Sequence, residues 1–151
     1  MAAWEIESRS WGVIIQPLSS HAKRVLCLDA IGLFLASFRP SLEEAPTARL
    51  ARRVLDLLRQ QADGYSPGEP DGAILDGLRT LRVRDRSPAV ASMVRALTEY
   101  ADSMAAGLDA SNVLVIMSAC YEAELYAEPG NQTLTHLIAS QRRLIAAASL
   151  V

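Results

Sequence analysis

The stretch DASNVLVIMSACYEAELYAE, Asp109 to Glu128, sets what the rest of the chain has to do. Val113, Leu114, Val115, Ile116 and Met117 follow one another with no polar interruption, so a helix made of them is apolar on every side. Such a helix is stable only when other helices surround it. The second half keeps an apolar seam through Cys120, Ala123 and Leu125 and adds Tyr121, Glu122, Glu124, Tyr126 and Glu128. The segment reads as one helix that begins inside a core and ends at a surface of tyrosine and glutamate.

Working outward, the flanking segments supply the enclosure. Ser87-Pro88 pairs a capping residue with proline at the first helical position. Val90, Val94, Leu97, Ala101 and Met104 mark the core side of that helix to about Ala106, and Gly107 stops it. Pro129-Gly130 closes the central helix. Asn131 can cap a last one, in which Leu134, Leu137, Ile138, Leu144 and Ile145 recur at helical spacing. Upstream, Ser19 or Ser20 caps a helix from His21 to about Phe38 that must end before Pro40. Its apolar residues point in too many directions for one stripe, which implies burial. Asp29, in its middle, marks either a buried, partnered carboxylate or the single exposed stripe.

Ser41-Leu-Glu-Glu44 has capping-box spacing, with Pro46 interrupting soon after. A helix then runs through Leu50, Val54, Leu57 and Leu58, with Arg49, Arg52, Arg53, Asp56 and Arg59 facing solvent and Gly64 at its end. The run YSPGEP, residues 65–70, is a loop, and Asp71 or Gly72 opens a shorter helix with Ile74, Leu75, Leu78 and Leu81 inward. Residues 4–18, WEIESRSWGVIIQPL, read differently. Trp4 and Ile6 alternate with glutamates, Val13-Ile14-Ile15 is β-branched, and Gly12 and Pro17 oppose a long helix. The expectation is an all-α, compact single-domain bundle of about six helices over residues 19–151. Residues 1–18 form an extended arm, compatible with a short β hairpin and anchored by its tryptophans.

At 151 residues, 50% apolar and 21% charged, the chain is long enough to build its own core and has the composition of a soluble globular protein rather than a disordered one. Val25 to Phe38, the longest nearly apolar run, contains Asp29 and is too short for a span of roughly 20 residues. MAAWEIESRSW lacks the basic-then-apolar order of a signal peptide. A cytoplasmic protein with no membrane role is expected. Cys27 and Cys120 form neither a disulfide framework nor a Cys-x-x-Cys pair, and each reads as a buried free thiol.

Chemistry-bearing motifs are sparse. His21 and His136 belong to no metal-ligand or zinc-protease spacing, and no Gly-x-Ser-x-Gly elbow or phosphate-cradling glycine loop occurs. Neither a metal nor a cofactor is called for, and no catalytic residue is assigned. The arginines at 79, 82, 84 and 86 and those at 49, 52, 53 and 59 are interspersed with Asp56, Asp76 and Asp85 and lack interleaved aromatics. They read as solvated faces rather than a nucleic-acid groove.

Net charge is −2, but residues 87–130 hold one basic residue, Arg95, against Glu99, Asp102, Asp109, Glu122, Glu124 and Glu128. Tyr121, Glu124 and Glu128 fall on one helical face. Glu99 and Asp102 join them from the preceding helix if the short connection at 107–110 makes the two antiparallel. An acidic edge dotted with tyrosine suits a basic protein partner. The leading expectation is a protein-binding module that occupies a partner's surface through Tyr121, Glu122, Glu124, Tyr126, Glu128, Glu99 and Asp102. A bacterial immunity or inhibitor protein neutralising a basic toxin is one concrete case. The alternative is a helical enzyme or small-ligand sensor with a pocket between helices, and the third a nucleic-acid-binding regulator.

Overall fold

A computed structural model describes residues 2–41, 43–63, 68–84, 87–127 and 131–150. Among them are eight helices and no strand: α1 (Ala2–Glu7), α2 (Trp11–Ile15), α3 (Ser20–Ser37), α4 (Ala45–Asp63), α5 (Gly72–Val83), α6 (Pro88–Ala106), α7 (Ala110–Tyr126) and α8 (Asn131–Ser149). One buried apolar cluster draws side chains from all eight. At its centre α7 packs against α2, α3, α6 and α8, while α3 packs against α4, α6, α7 and α8. Val113, Ile116, Met117, Ala119, Cys120 and Ala123 of α7 are wholly enclosed, as a helix apolar on every side requires.

The caps lie where the local sequence asks for them. Ser19 Oγ accepts from the Ala22 N–H, and Ser87 Oγ accepts from the Val90 N–H ahead of Pro88. Asp109 and Asn112 form a reciprocal capping box at α7, and Gly107, at φ +90°, turns the chain between α6 and α7. Ser41 and Glu44 make the expected box ahead of α4. The other oxygen of Glu44 accepts from Ser87 Oγ at 2.9 Å, tying the starts of α4 and α6 together. Pro46 does not interrupt: it sits in the first turn of α4, where no intrahelical N–H bond is required. Gly64, Tyr65–Pro67 and Pro129-Gly130, assigned to a helix end and loops, lie outside the described residues. At the described end of the first loop, Gln61 reaches back to the Glu69 carbonyl and the Asp71 N–H.

The amino-terminal arm is a correction. Residues 2–15 form two short helices, not extended chain or a hairpin, and bring the helix count to eight rather than six. An isolated strand would leave its backbone groups without partners, whereas a helix satisfies them locally. Strand alternation would put Val13 and Ile15 on one side; instead Ile15 is fully buried and Val13 is 77% exposed. The tryptophans do anchor the segment. Trp4 and Trp11 meet edge-to-face with ring centroids 5.7 Å apart. Trp4 Nε1 donates to Gln141 Oε1 at 2.9 Å, and Gln141 Nε2 donates to the Met117 carbonyl at 3.1 Å. The wholly buried Gln141 thus links α1, α8 and α7.

Two glycines permit close helix approach. A Cβ at Gly77 of α5 would stand 2.6 Å from Val54 Cγ2 in α4. One at Gly32 would meet the Arg59 guanidinium, which crosses from α4 to bond Asp29 and the Leu28 carbonyl. Arg52 likewise reaches the Leu35 carbonyl, so two arginines assigned to solvent stitch α4 to α3. Asp29 is the half-exposed stripe of α3 and pairs with Arg59 at 3.2 Å. Leu75, expected inward, is exposed on α5.

Candidate functional site

The residues of the expected acidic edge do not share one surface. Tyr121 is 3% exposed and Glu124 5% exposed, both turned towards neighbouring helices. Burial pushes the Glu124 carboxyl above its ordinary range, against the pull of Arg39, and its Oε2 has no hydrogen-bond partner. Glu122 pairs with Arg95 of α6 at 3.3 Å. Glu99 accepts from Asn112 Nδ2 at 3.1 Å. As numbering rises from Asn112 to Glu122 it falls from Glu99 to Arg95, so α6 and α7 are antiparallel. Asp102 is exposed and Tyr126 is 52% exposed. Glu128 lies outside the described residues. Along the α6–α7 seam the accessible residues fall into two stretches: Glu99 and Asp102 towards the turn at Gly107, and Tyr126 with the Arg95–Glu122 pair towards the other end.

Other titratable groups are in structural positions. Cys27 and Cys120 are free and fully buried, and burial is the main reason both thiols stand far above their ordinary range. The Tyr100 hydroxyl, also buried, is pushed up to about 12, and it has no hydrogen-bond partner. Among the described residues no three His, Cys, Asp or Glu side chains are grouped to hold a metal ion. None of their helices is long and apolar enough to cross a membrane.

The feature missed in the sequence lies along α8. Three hollows follow one another between α8 and the amino-terminal helices. The first, about 460 Å³, is lined by Ala3, Ile6, Glu7, Thr135, Ile138, Ala139 and Arg142. The second, about 310 Å³, shares Glu7 and Arg142 and adds Ser10, Trp11, Ile14, Ile145, Ala146 and Ser149. The third, about 430 Å³, shares Ile14 and Ser149 and continues to Pro17, Leu18, His21 and Val25. From α8 the lining comes at 135, 138, 139, 142, 145, 146 and 149, one helical stripe over four turns, or roughly 21 Å, with Ala148 added beside it at the third hollow. Ala139 and Ala146 leave room along it, and an ion pair between Glu7 and Arg142 stands at the junction of the first two hollows. The rim carries exposed apolar side chains: Ile6 is 61% exposed, and Ile14 and Val25 are also exposed. The sequence carried a trace of this stripe, because once residues 11–15 are helical, Val13-Ile14-Ile15 has more apolar faces than one core contact can use.

Compared with protein-family models, curated proteins and solved structures, the chain matches none.

Proposed function

We propose that the protein is a binding module that works by occupying the surface of another protein, and that it seats an amphipathic helix of that partner along the α8 groove. The carrying observation is the row of three adjoining hollows, one after another along four turns of α8, rimmed by exposed Ile6, Ile14 and Val25. Contiguous exposed apolar surface marks interaction sites. A partner helix meets such a row by placing apolar side chains from successive turns into successive hollows. The Glu7–Arg142 pair adds polar selection, since a half-exposed ion pair is worth at most about 1 kcal/mol and yields to a better-placed charge. A cytoplasmic immunity or inhibitor protein covering a toxin would be one such module.

The second reading retains the α6–α7 seam as the contact for a basic partner, favoured by the exposed Tyr126 beside the Glu122 carboxylate. One experiment separates the two. A photo-crosslinking residue is placed at Ile14 or at Tyr126 in the native cell, and adducts are compared between wild type, Ile14→Glu and the pair Asp102→Lys with Glu122→Lys. The groove reading expects a crosslink from position 14 to an amphipathic helical segment of one protein, lost in Ile14→Glu when probed from neighbouring Ser10. Loss only in the charge-reversed pair moves the site to the seam. No discrete adduct from either position ends both readings.

A further inference from the structure

A separate cavity, about 330 Å³, opens between the end of α3 and the first turns of α8. Most of its polar lining can donate a hydrogen bond. Arg39 stands at its edge, His136 and Thr133 come from α8, and Ser140 lies deeper, almost fully buried. Ser140 Oγ already accepts from Arg143 Nη2 at 2.9 Å, so its hydroxyl proton is left to donate. Ser37, also in the lining, spends its proton on the Phe34 carbonyl. Leu33, Ala36 and Leu137 make the remaining wall apolar. No carboxylate lines this cavity.

We infer that this cavity binds a small amphiphilic organic anion, its carboxylate or phosphate head on Arg39, His136 and Ser140 and its short apolar tail against Leu33, Ala36 and Leu137. Convergent donors on one side with an apolar wall on the other fix both charge sign and orientation of a ligand. Its volume lies at the small end of ligand pockets. The site is distinct from the α8 groove: the two share no lining residue, and where both draw on α3 the groove takes its first turns and the cavity its last.

Titration of the wild-type protein with hexanoate, hexyl phosphate, hexanol and inorganic phosphate, followed by backbone and imidazole NMR shifts over residues 133–140, tests the inference. One or both amphiphilic anions should give saturable shifts confined to this region, with hexanol and inorganic phosphate at least about tenfold weaker, as expected for loss of a charge-assisted contact or of the tail. Preference between hexanoate and hexyl phosphate names the head group. Arg39→Gln should weaken binding by about ten- to a hundredfold and Ala36→Phe should abolish it. Arg53→Gln, on exposed α4, should leave it unchanged. Arg39 and Ala36 are exposed, so both variants keep their helical signal. The inference is overturned by absence of saturable shifts with either anion, by equal binding of hexanol, or by Arg39→Gln or Ala36→Phe binding as well as wild type. An equal loss in Arg53→Gln would likewise overturn it, by showing a diffuse charge effect.

Discussion

Replacing Gln141 by Leu tests how the amino-terminal helices are held. Leu has nearly the same volume and suits a wholly buried position, so shape changes little. The substitution removes the acceptor of the Trp4 indole N–H and the donor to the Met117 carbonyl. Met117 lies inside α7 and keeps its helical bond, so its loss is minor. The indole N–H is another matter: Trp4 is almost completely buried, and a buried donor without a partner costs about 1–3 kcal/mol. Greater apolarity of Leu offsets part of this, leaving a net loss of about 1–2 kcal/mol. Trp4→Phe costs more, because it shrinks the ring against Trp11 and orphans the Gln141 oxygen. The double variant has neither orphan. It should therefore be more stable than the sum of the two losses predicts, by about 1–2 kcal/mol. Urea denaturation read by far-UV circular dichroism gives the four free energies, and Trp11, the remaining tryptophan in Trp4→Phe, reports fluorescence from the same corner. Each kcal/mol corresponds to about 2–4 °C in Tm at this chain length. Additive losses, within about 0.3 kcal/mol, would show that the indole–amide bond does not tie α1 to α8 and α7.

The remaining expectations concern packing, charge and thiols. Gly77→Ala forces a methyl against the buried Val54, and overpacking of about 1–3 kcal/mol should exceed the helix-propensity gain of about 1 kcal/mol; Gly32→Ala displaces only a flexible guanidinium and should be near neutral or stabilising in the same melts. Glu124 has a folded-state pKa above its ordinary value of 4.5, so the folded protein binds this proton more tightly than the unfolded chain. Its contribution should thus be most favourable below pH 4.5 and decline as pH rises through the folded value. Glu124→Gln should flatten that part of the stability–pH profile and stabilise the protein at pH 7, and an unchanged slope would mean the carboxylate is not desolvated. Cys27 and Cys120 should resist a thiol reagent until denaturant is added; rapid native labelling of either would contradict its enclosure.

Most of the helical framework was present in local sequence, because its signals are short-range. Ser87-Pro88, the Ser41–Glu44 box, Asp109 with Asn112, and Gly107 each act within one turn of their own position, so a start or stop needs no knowledge of the fold. The central role of α7 was equally legible: five consecutive apolar residues cannot face water on any side. Which polar residues of α7 turn inward was decided only by tertiary structure. A helix without a one-sided stripe does not mark its own orientation, so Tyr121 and Glu124 looked like surface until α3, α6 and α8 enclosed them. The same holds for residues 2–15, where β-branched propensity lost to the absence of a partner strand and to the anchoring of Trp4 by Gln141, 137 positions away. The α8 groove and the Arg39 cavity are gaps between elements. A gap depends on how two helices are spaced, and that spacing is set by side chains distant in the chain, so beyond the surplus apolar faces of Val13-Ile14-Ile15 no local pattern announced either one.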